Sequence, residues 1–192
     1  MIQRLYDWTI HLAEHRHAMW VLAIVAFIES SVFPIPPDVI MIPMILARPS
    51  RAFVIAGVAL LASVLGGLLG YAIGALAFET LGEPILTALG KGDAMAEFAE
   101  RFNNMGFWAI LTAGVTPFPY KVITIMSGWT AMPMGVFIAT SILARGLRFF
   151  LVAGLLWKFG APVRDFIERR LPLMFTLAVA LLIGGFYAIK FL

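Results

Sequence analysis

Long apolar runs alternate with short polar stretches along the chain, and the lengths of the runs predict its elements. Residues 52–78, 134–157 and 173–191 are each long enough to cross a bilayer, since a spanning helix needs about 20 apolar residues. Residues 19–46 and 107–129 are equally apolar but are interrupted by prolines. We therefore predict about three full transmembrane helices and two broken segments.

The first broken segment (residues 19–46) and the second broken segment (residues 107–129) cannot be straight helices. Proline lacks a backbone N–H and its ring clashes with the preceding turn, so it interrupts a helix interior. Irregular backbone at membrane depth is tolerated only against protein or a water-filled cavity. Each segment is therefore interpreted as a re-entrant hairpin of two half-helices. The prolines assigned to these turns, as hinges of a gate, are Pro34, Pro36, Pro37, Pro117 and Pro119.

The two proline turns share one pattern. Residues 34–42 and 117–125 both read Pro-x-Pro-x-charge-Val-Ile-x-Ile, with Asp38 as the charge in the first and Lys121 in the second. Broken segments that enter from opposite faces would form an inverted repeat, and in transporters with such repeats they meet at a substrate site near the midplane. A chance similarity between two apolar loops is the alternative.

The remaining stretches are more polar. Residues 1–17 place apolar side chains at helical spacing, which predicts an amphipathic interfacial helix on the membrane surface. Residues 79–104 are interpreted as a polar surface connector and residues 158–171 as a second interfacial elbow. Together these elements predict an all-α polytopic membrane protein with a single domain over residues 1–192.

Composition agrees with a membrane protein. Hydrophobic residues make up 61% of the chain and charged residues 13%, with a mean hydropathy of +0.94, whereas soluble domains are about 45–50% apolar and about 25% charged. The net charge of +3 is not gathered in a basic soluble module, so nucleic-acid binding is not indicated. The absence of cysteine excludes disulfides and cysteine-based metal sites.

Basic residues are divided unevenly between the two sides of this predicted topology. Cytoplasmic loops carry the excess of Lys and Arg, so the side with eight of them is predicted to be cytoplasmic, and with it the N-terminus. The eight are Arg4, Arg16, Arg48, Arg51, Lys158, Arg164, Arg169 and Arg170, against Lys91, Arg101 and Lys190 on the other side.

Charged residues inside the apolar runs are the candidate site residues. A charge in lipid costs roughly 2.5–3.5 kcal/mol, so such residues face a polar interior, pair with one another and are functional by default. They are Glu29, Asp38, Lys121, Arg145 and Arg148. The alternative to a functional site is a structural salt-bridge network that only holds the hairpins in place.

The three positive residues suit an anionic substrate. Arg145 and Arg148 are three positions apart, so they share one helix face, and guanidinium groups bind phosphate or carboxylate bidentately. With Lys121 and the adjacent Tyr120 they form the predicted substrate-binding set. Glu29 and Asp38 are the predicted proton-coupling residues.

Taken together, these motifs resemble those of the DedA membrane family, which is related to the VTT-domain lipid scramblases. The shared features are the acid Glu29, the Pro-x-Pro-Pro-Asp turn, the Gly-x-x-x-Gly-Tyr-x-Ile-Gly stretch at 66–74, the second proline turn with its basic residue, and Ser127-Gly128. The Pro-x-Pro-Tyr-Lys turn and the Arg-x-x-Arg-Phe-Phe stretch at 145–150 are most similar to the short YqaA-like branch. The resemblance covers roughly residues 20–160.

The resemblance implies a transporter or flippase of a phosphate-bearing lipid, such as a polyprenyl phosphate or a phospholipid. It further implies the bacterial inner membrane and the proton-motive force as driver. We expect no cofactor, and whether the protein works as a homodimer is left open. An ion-coupled exporter of a small charged solute and a non-transporting assembly factor remain open. An intramembrane lipid enzyme is disfavoured because all three histidines, His11, His15 and His17, lie in the N-terminal helix.

Overall fold

The computed structural model of the protein describes residues 17–32, 35–88, 92–115 and 119–189. The predicted interfacial helix, except His17, lies outside these ranges, as do Pro34 and Pro117. All regular structure within them is helical, which confirms the all-α prediction.

Eight α-helices follow one another in the described part of the chain. A 3₁₀ turn over Pro49–Arg51 precedes the third, and a π-helical turn over Phe78–Gly82 continues it. The helices are α1 (Ala18–Ser31), α2 (Asp38–Ala47), α3 (Ala52–Ala77), α4 (Glu83–Ala88), α5 (Gly92–Asn104), α6 (Gly106–Val115), α7 (Tyr120–Trp129) and α8 (Met134–Ile189).

Two helices of the described residues are long and apolar enough to cross a membrane. They are Pro49–Leu86, with a mean hydropathy of 2.5, and Met134–Gly160, with a mean hydropathy of 1.8. The backbone of α8 is non-helical at Phe159 (φ −121°, ψ 21°) and then continues as helix to Ile189. Residues 160–189, which include most of the predicted elbow and last span, therefore follow this kink in one helix.

Both predicted helix breaks are present. The first broken segment is divided into α1 and α2, and Pro36 and Pro37 lie in the gap between them. The second is divided into α6 and α7, and Pro119 immediately precedes α7. Pro43 lies inside α2 and does not end it. The re-entrant course of the segments and their relation as an inverted repeat stay predictions.

The central helix is α3, against which α1, α7 and α8 pack. Its glycine stripe lets the neighbouring backbones approach closely, since a Cβ atom at Gly66 would overlap the carbonyl of Phe27 on α1. A Cβ atom at Gly74 would overlap the carbonyl of Ile125 on α7. One face of α3 therefore holds the first half of the first broken segment and the second half of the second.

Two apolar clusters lie on either side of a polar centre. The first joins α1, α2, α3 and α8 and includes Leu22, Met41, Ile45, Ile55 and Phe149. The second joins α6, α7 and α8 and consists of Ile110, Ala113, Tyr120, Met132 and Phe137. Between the two, Ser63 lies on α3 and the buried residues Thr140, Ser141 and Arg145 lie on α8. Polar groups are thereby gathered midway along both membrane-length helices.

Candidate functional site

The centre of the site is a buried ion pair between Glu29 and Arg145. Glu29 lies in the last turn of α1, and Arg145 lies in the part of α8 before the kink. Arg145 Nη2 donates to Glu29 Oε2, and Arg145 Nε donates to Ser63 Oγ at 2.7 Å. The Arg145 and Glu29 side chains are 2% and 11% exposed. This pair joins α1, α3 and α8 through groups that lose most of their hydration.

Two serines close the ion pair into a ring of hydrogen bonds. Ser30 Oγ donates to Glu29 Oε2 at 3.1 Å and lies 2.7 Å from Ser63 Oγ. Both serines are fully buried. Within the described ranges no buried side-chain nitrogen or oxygen lacks a partner. A ligand that binds here must therefore exchange partners with groups that are already paired.

The Arg145 guanidinium lies over the rings of two aromatic residues. Its Cζ atom lies 4.7 Å from the ring centroid of Tyr120 and 4.8 Å from that of Phe149. Such cation–π contacts are worth about 2 kcal/mol when desolvated. Tyr120 OH donates to Ser141 Oγ at 2.6 Å, which fixes the ring against α8. The predicted site residue Tyr120 therefore touches the cation through its ring.

A second ion pair lies on the same face of α8. Arg148 Nη2 lies 2.6 Å from Asp38 Oδ2, and these side chains are 20% and 17% exposed, so this pair is the more accessible of the two. Asp38 is the first residue of α2. The two arginines of α8 thus bind one acid from each half of the first broken segment.

The two broken segments are in direct contact. Lys121 Nζ donates to the Val32 carbonyl at 2.9 Å, and Thr124 Oγ1 donates to the Ser30 carbonyl at 2.9 Å. Both acceptors lie at the C-terminal end of α1, where the last carbonyls of a helix have no intrahelical donor. The first turns of α7 therefore cap α1.

The structure adds residues that the charge pattern does not single out. Ser30, Ser63 and Phe149 complete the surroundings of Arg145. The sequence does set Ser63 apart, because Ser63 and Tyr71 are the only hydroxyl-bearing residues of the apolar helix α3. Phe149 carries no such signal, since aromatic residues are common in apolar helices.

Comparisons with known proteins place these residues in a family context. The VTT domain model matches residues 33–158, a range that includes Asp38, Lys121 and both arginines. A Haemophilus influenzae protein is 40% identical over 168 residues, which cover 85% of this chain and 87% of that protein. A Histophilus somni protein is 39% identical over 168 residues with the same coverage. Both relatives are described as uncharacterized proteins. No solved structure matches the chain.

Proposed function

The chain belongs to the VTT-domain family of DedA membrane proteins, and from this premise we propose that it moves a phosphate-bearing lipid between the leaflets of a bacterial inner membrane. The lipid is a polyprenyl phosphate or a phospholipid. Its phosphate passes through the site around the two arginines while its hydrocarbon tail stays in the bilayer.

The observation that supports this proposal is the pair of arginines on one face of α8. Arg145 and Arg148 lie between the two apolar clusters along α8. A charged side chain at membrane depth is energetically costly, so such residues are taken as functional by default. Guanidinium forks match the geometry of phosphate oxygens. Because each arginine already binds a carboxylate, the phosphate must replace Glu29 and Asp38 as their partner.

The two ion pairs differ in exposure, which suggests an order of binding. The Arg148–Asp38 pair is the more accessible, so the headgroup meets it first, and the nearly buried Arg145–Glu29 pair follows. Lys121 contributes a third positive charge at the start of α7. Tyr120 keeps the Arg145 guanidinium oriented while its carboxylate partner is exchanged.

Proton binding to Glu29 or Asp38 provides the coupling in this scheme. A protonated carboxyl group no longer neutralises its arginine, so the arginine becomes available to the phosphate. Proton uptake from one side and release to the other then links lipid movement to the proton-motive force. The proline turns at Pro34–Pro37 and Pro117–Pro119 act as the hinges about which the half-helices move, and the N-terminus is cytoplasmic.

Leaflet exchange in liposomes tests this scheme through Arg148. We expect Arg148→Ala to lower the exchange rate of a fluorescent polyprenyl phosphate about tenfold or more, since a hydrogen bond to a charged group contributes about 1.5–3 kcal/mol. Glu29→Gln removes one of the two acids and should weaken the response to an imposed pH gradient. Arg101→Ala is the control, because Arg101 pairs with Glu97 on an exposed face of α5.

The outcome is read together with the amount of folded protein in each liposome preparation. Exchange that is unchanged in both Arg148→Ala and Glu29→Gln would refute this mechanism. Movement of a soluble organic anion without any lipid exchange would instead indicate the exporter of small solutes.

A further inference from the structure

Lys121 is bound differently from the two arginines, because its ammonium group contacts a backbone carbonyl and, among the residues that the structure describes, no carboxylate. Its Nζ donates to the Val32 carbonyl at 2.9 Å. We propose that Lys121 is a built-in cation, which fills from α7 a monovalent-cation site at the C-terminal end of α1. The ammonium group of Lys121 binds the carbonyl end of α1, and it takes the position that a free cation would otherwise occupy.

The end of α1 has the properties of a cation site. Val32 leaves helical geometry with φ −131° and ψ −47°, while its N–H still donates to the Ile28 carbonyl. The last carbonyls of a helix lack intrahelical donors and together carry a partial negative charge of about half an elementary charge. In transporters with broken helices, such carbonyl ends coordinate coupling cations.

Thr124 fixes the position of Lys121 at this end. The Thr124 hydroxyl lies 2.9 Å from the Ser30 carbonyl and 2.9 Å from the Lys121 carbonyl, so it ties the first turn of α7 to α1. Gly70 of α3 permits this position, because a Cβ atom there would overlap the Thr124 hydroxyl. The ammonium is thus placed at the carbonyl end of α1 by contacts among α1, α3 and α7.

The neighbouring acids are engaged elsewhere. Glu29 is bound by Arg145, and Asp38 is bound by Arg148. Lys121 therefore neutralises the partial negative charge of the carbonyl end of α1. While its ammonium group is bound there, no cation from solution is required. Without that ammonium, the Val32 carbonyl is left to a small cation that can reach it.

Thermal unfolding of the purified full-length protein tests this proposal without any transport measurement. Tm is measured in chloride salts of N-methylglucamine, sodium, potassium and methylammonium at equal ionic strength. In N-methylglucamine, the bulky organic cation of the series, we expect Lys121→Ala to unfold about 3 °C or more below the wild type. Sodium or methylammonium should restore most of that loss, while the Tm of the wild type stays the same in all four salts.

Lys158→Ala is the matched control, because Lys158 is exposed and lies over the ring of Phe159; it should show no dependence on the cation. Lys121→Arg keeps a cation at the end of the side chain and should also be insensitive to the salt. Should Lys121→Ala not purify, Lys121→Gln replaces it in the same four salts. The proposal is overturned if the neutral Lys121 variant has the same Tm as the wild type in N-methylglucamine. It is also overturned if no small cation raises the Tm of that variant more than it raises the Tm of Lys158→Ala. Since Tm does not depend on lipid movement, this result is separate from the outcome of the leaflet-exchange assay.

Discussion

Replacing Arg145 with methionine is expected to lower the free energy of unfolding by about 3–5 kcal/mol, because it leaves the buried carboxylate of Glu29 without its counter-charge. The substitution also removes the donor to Ser63 and the cation between Tyr120 and Phe149. It is measured as the Tm and the yield of monodisperse protein in detergent or nanodiscs.

The double variant Arg145→Met with Glu29→Gln shows whether the loss comes from the stranded charge. Removing both charges should recover most of the lost stability, since a neutral buried pair avoids the desolvation cost. Arg101→Met is the matched control, because its partner Glu97 and Arg101 itself are 63% and 77% exposed, and exposed pairs contribute about 0–1 kcal/mol. Equal effects of Arg145→Met and Arg101→Met would show that the central pair is not buried.

Alanine at Gly66 is expected to cost about 3 kcal/mol or more, because the added Cβ atom meets the backbone of Phe27, which cannot move aside as a side chain can. The resulting shift separates α1 from α3 and so displaces Glu29 and Ser30 from Ser63. The measurement is again Tm, combined with chromatography to detect aggregated protein.

Gly57 provides the control within the same helix. No atom lies within 4 Å of a Cβ built at Gly57, so Gly57→Ala should be neutral or should stabilise α3 by up to about 1 kcal/mol through helix propensity. A Gly66→Ala protein as stable as Gly57→Ala would contradict the close approach of α1 and α3.

Helix breaks and candidate charges were predictable because proline and intramembrane charge each have strong local consequences. Pro36 and Pro37 lack the N–H groups that would continue α1, although Pro43 is tolerated inside α2. A charge such as Arg145 is costly in lipid and is therefore expected to face the protein interior. The shared face of Arg145 and Arg148 also follows from helical spacing alone.

The partner of each charged residue was not predictable from the sequence, because it depends on how the helices pack against one another. Spacing along α8 does not say that Arg145 binds Glu29 and Arg148 binds Asp38. The partner of Lys121 is a backbone carbonyl, and backbone acceptors leave no mark in a sequence. The contact of Lys121 with the Val32 carbonyl could therefore not be foreseen, and its role as a substrate ligand stays a prediction.

The kink in α8 was predictable only in part. Its position at Phe159, next to Gly160 and Pro162, agrees with residues that weaken a helix. The change from apolar to basic residues after Trp157 predicts a surface elbow there, but composition cannot distinguish a separate elbow from a kinked helix that continues.

Headgroup selectivity of leaflet exchange tests most directly the proposal that the arginine site moves a phosphate-bearing lipid. Wild-type protein in liposomes is compared on a fluorescent polyprenyl phosphate and on the polyprenol with the same chain and label. We predict protein-dependent exchange of the phosphate at a rate about tenfold or more above that of the neutral lipid, because only the phosphate can replace the carboxylates on Arg145 and Arg148. Equal rates for the two lipids, or no exchange beyond protein-free liposomes, would contradict the proposal.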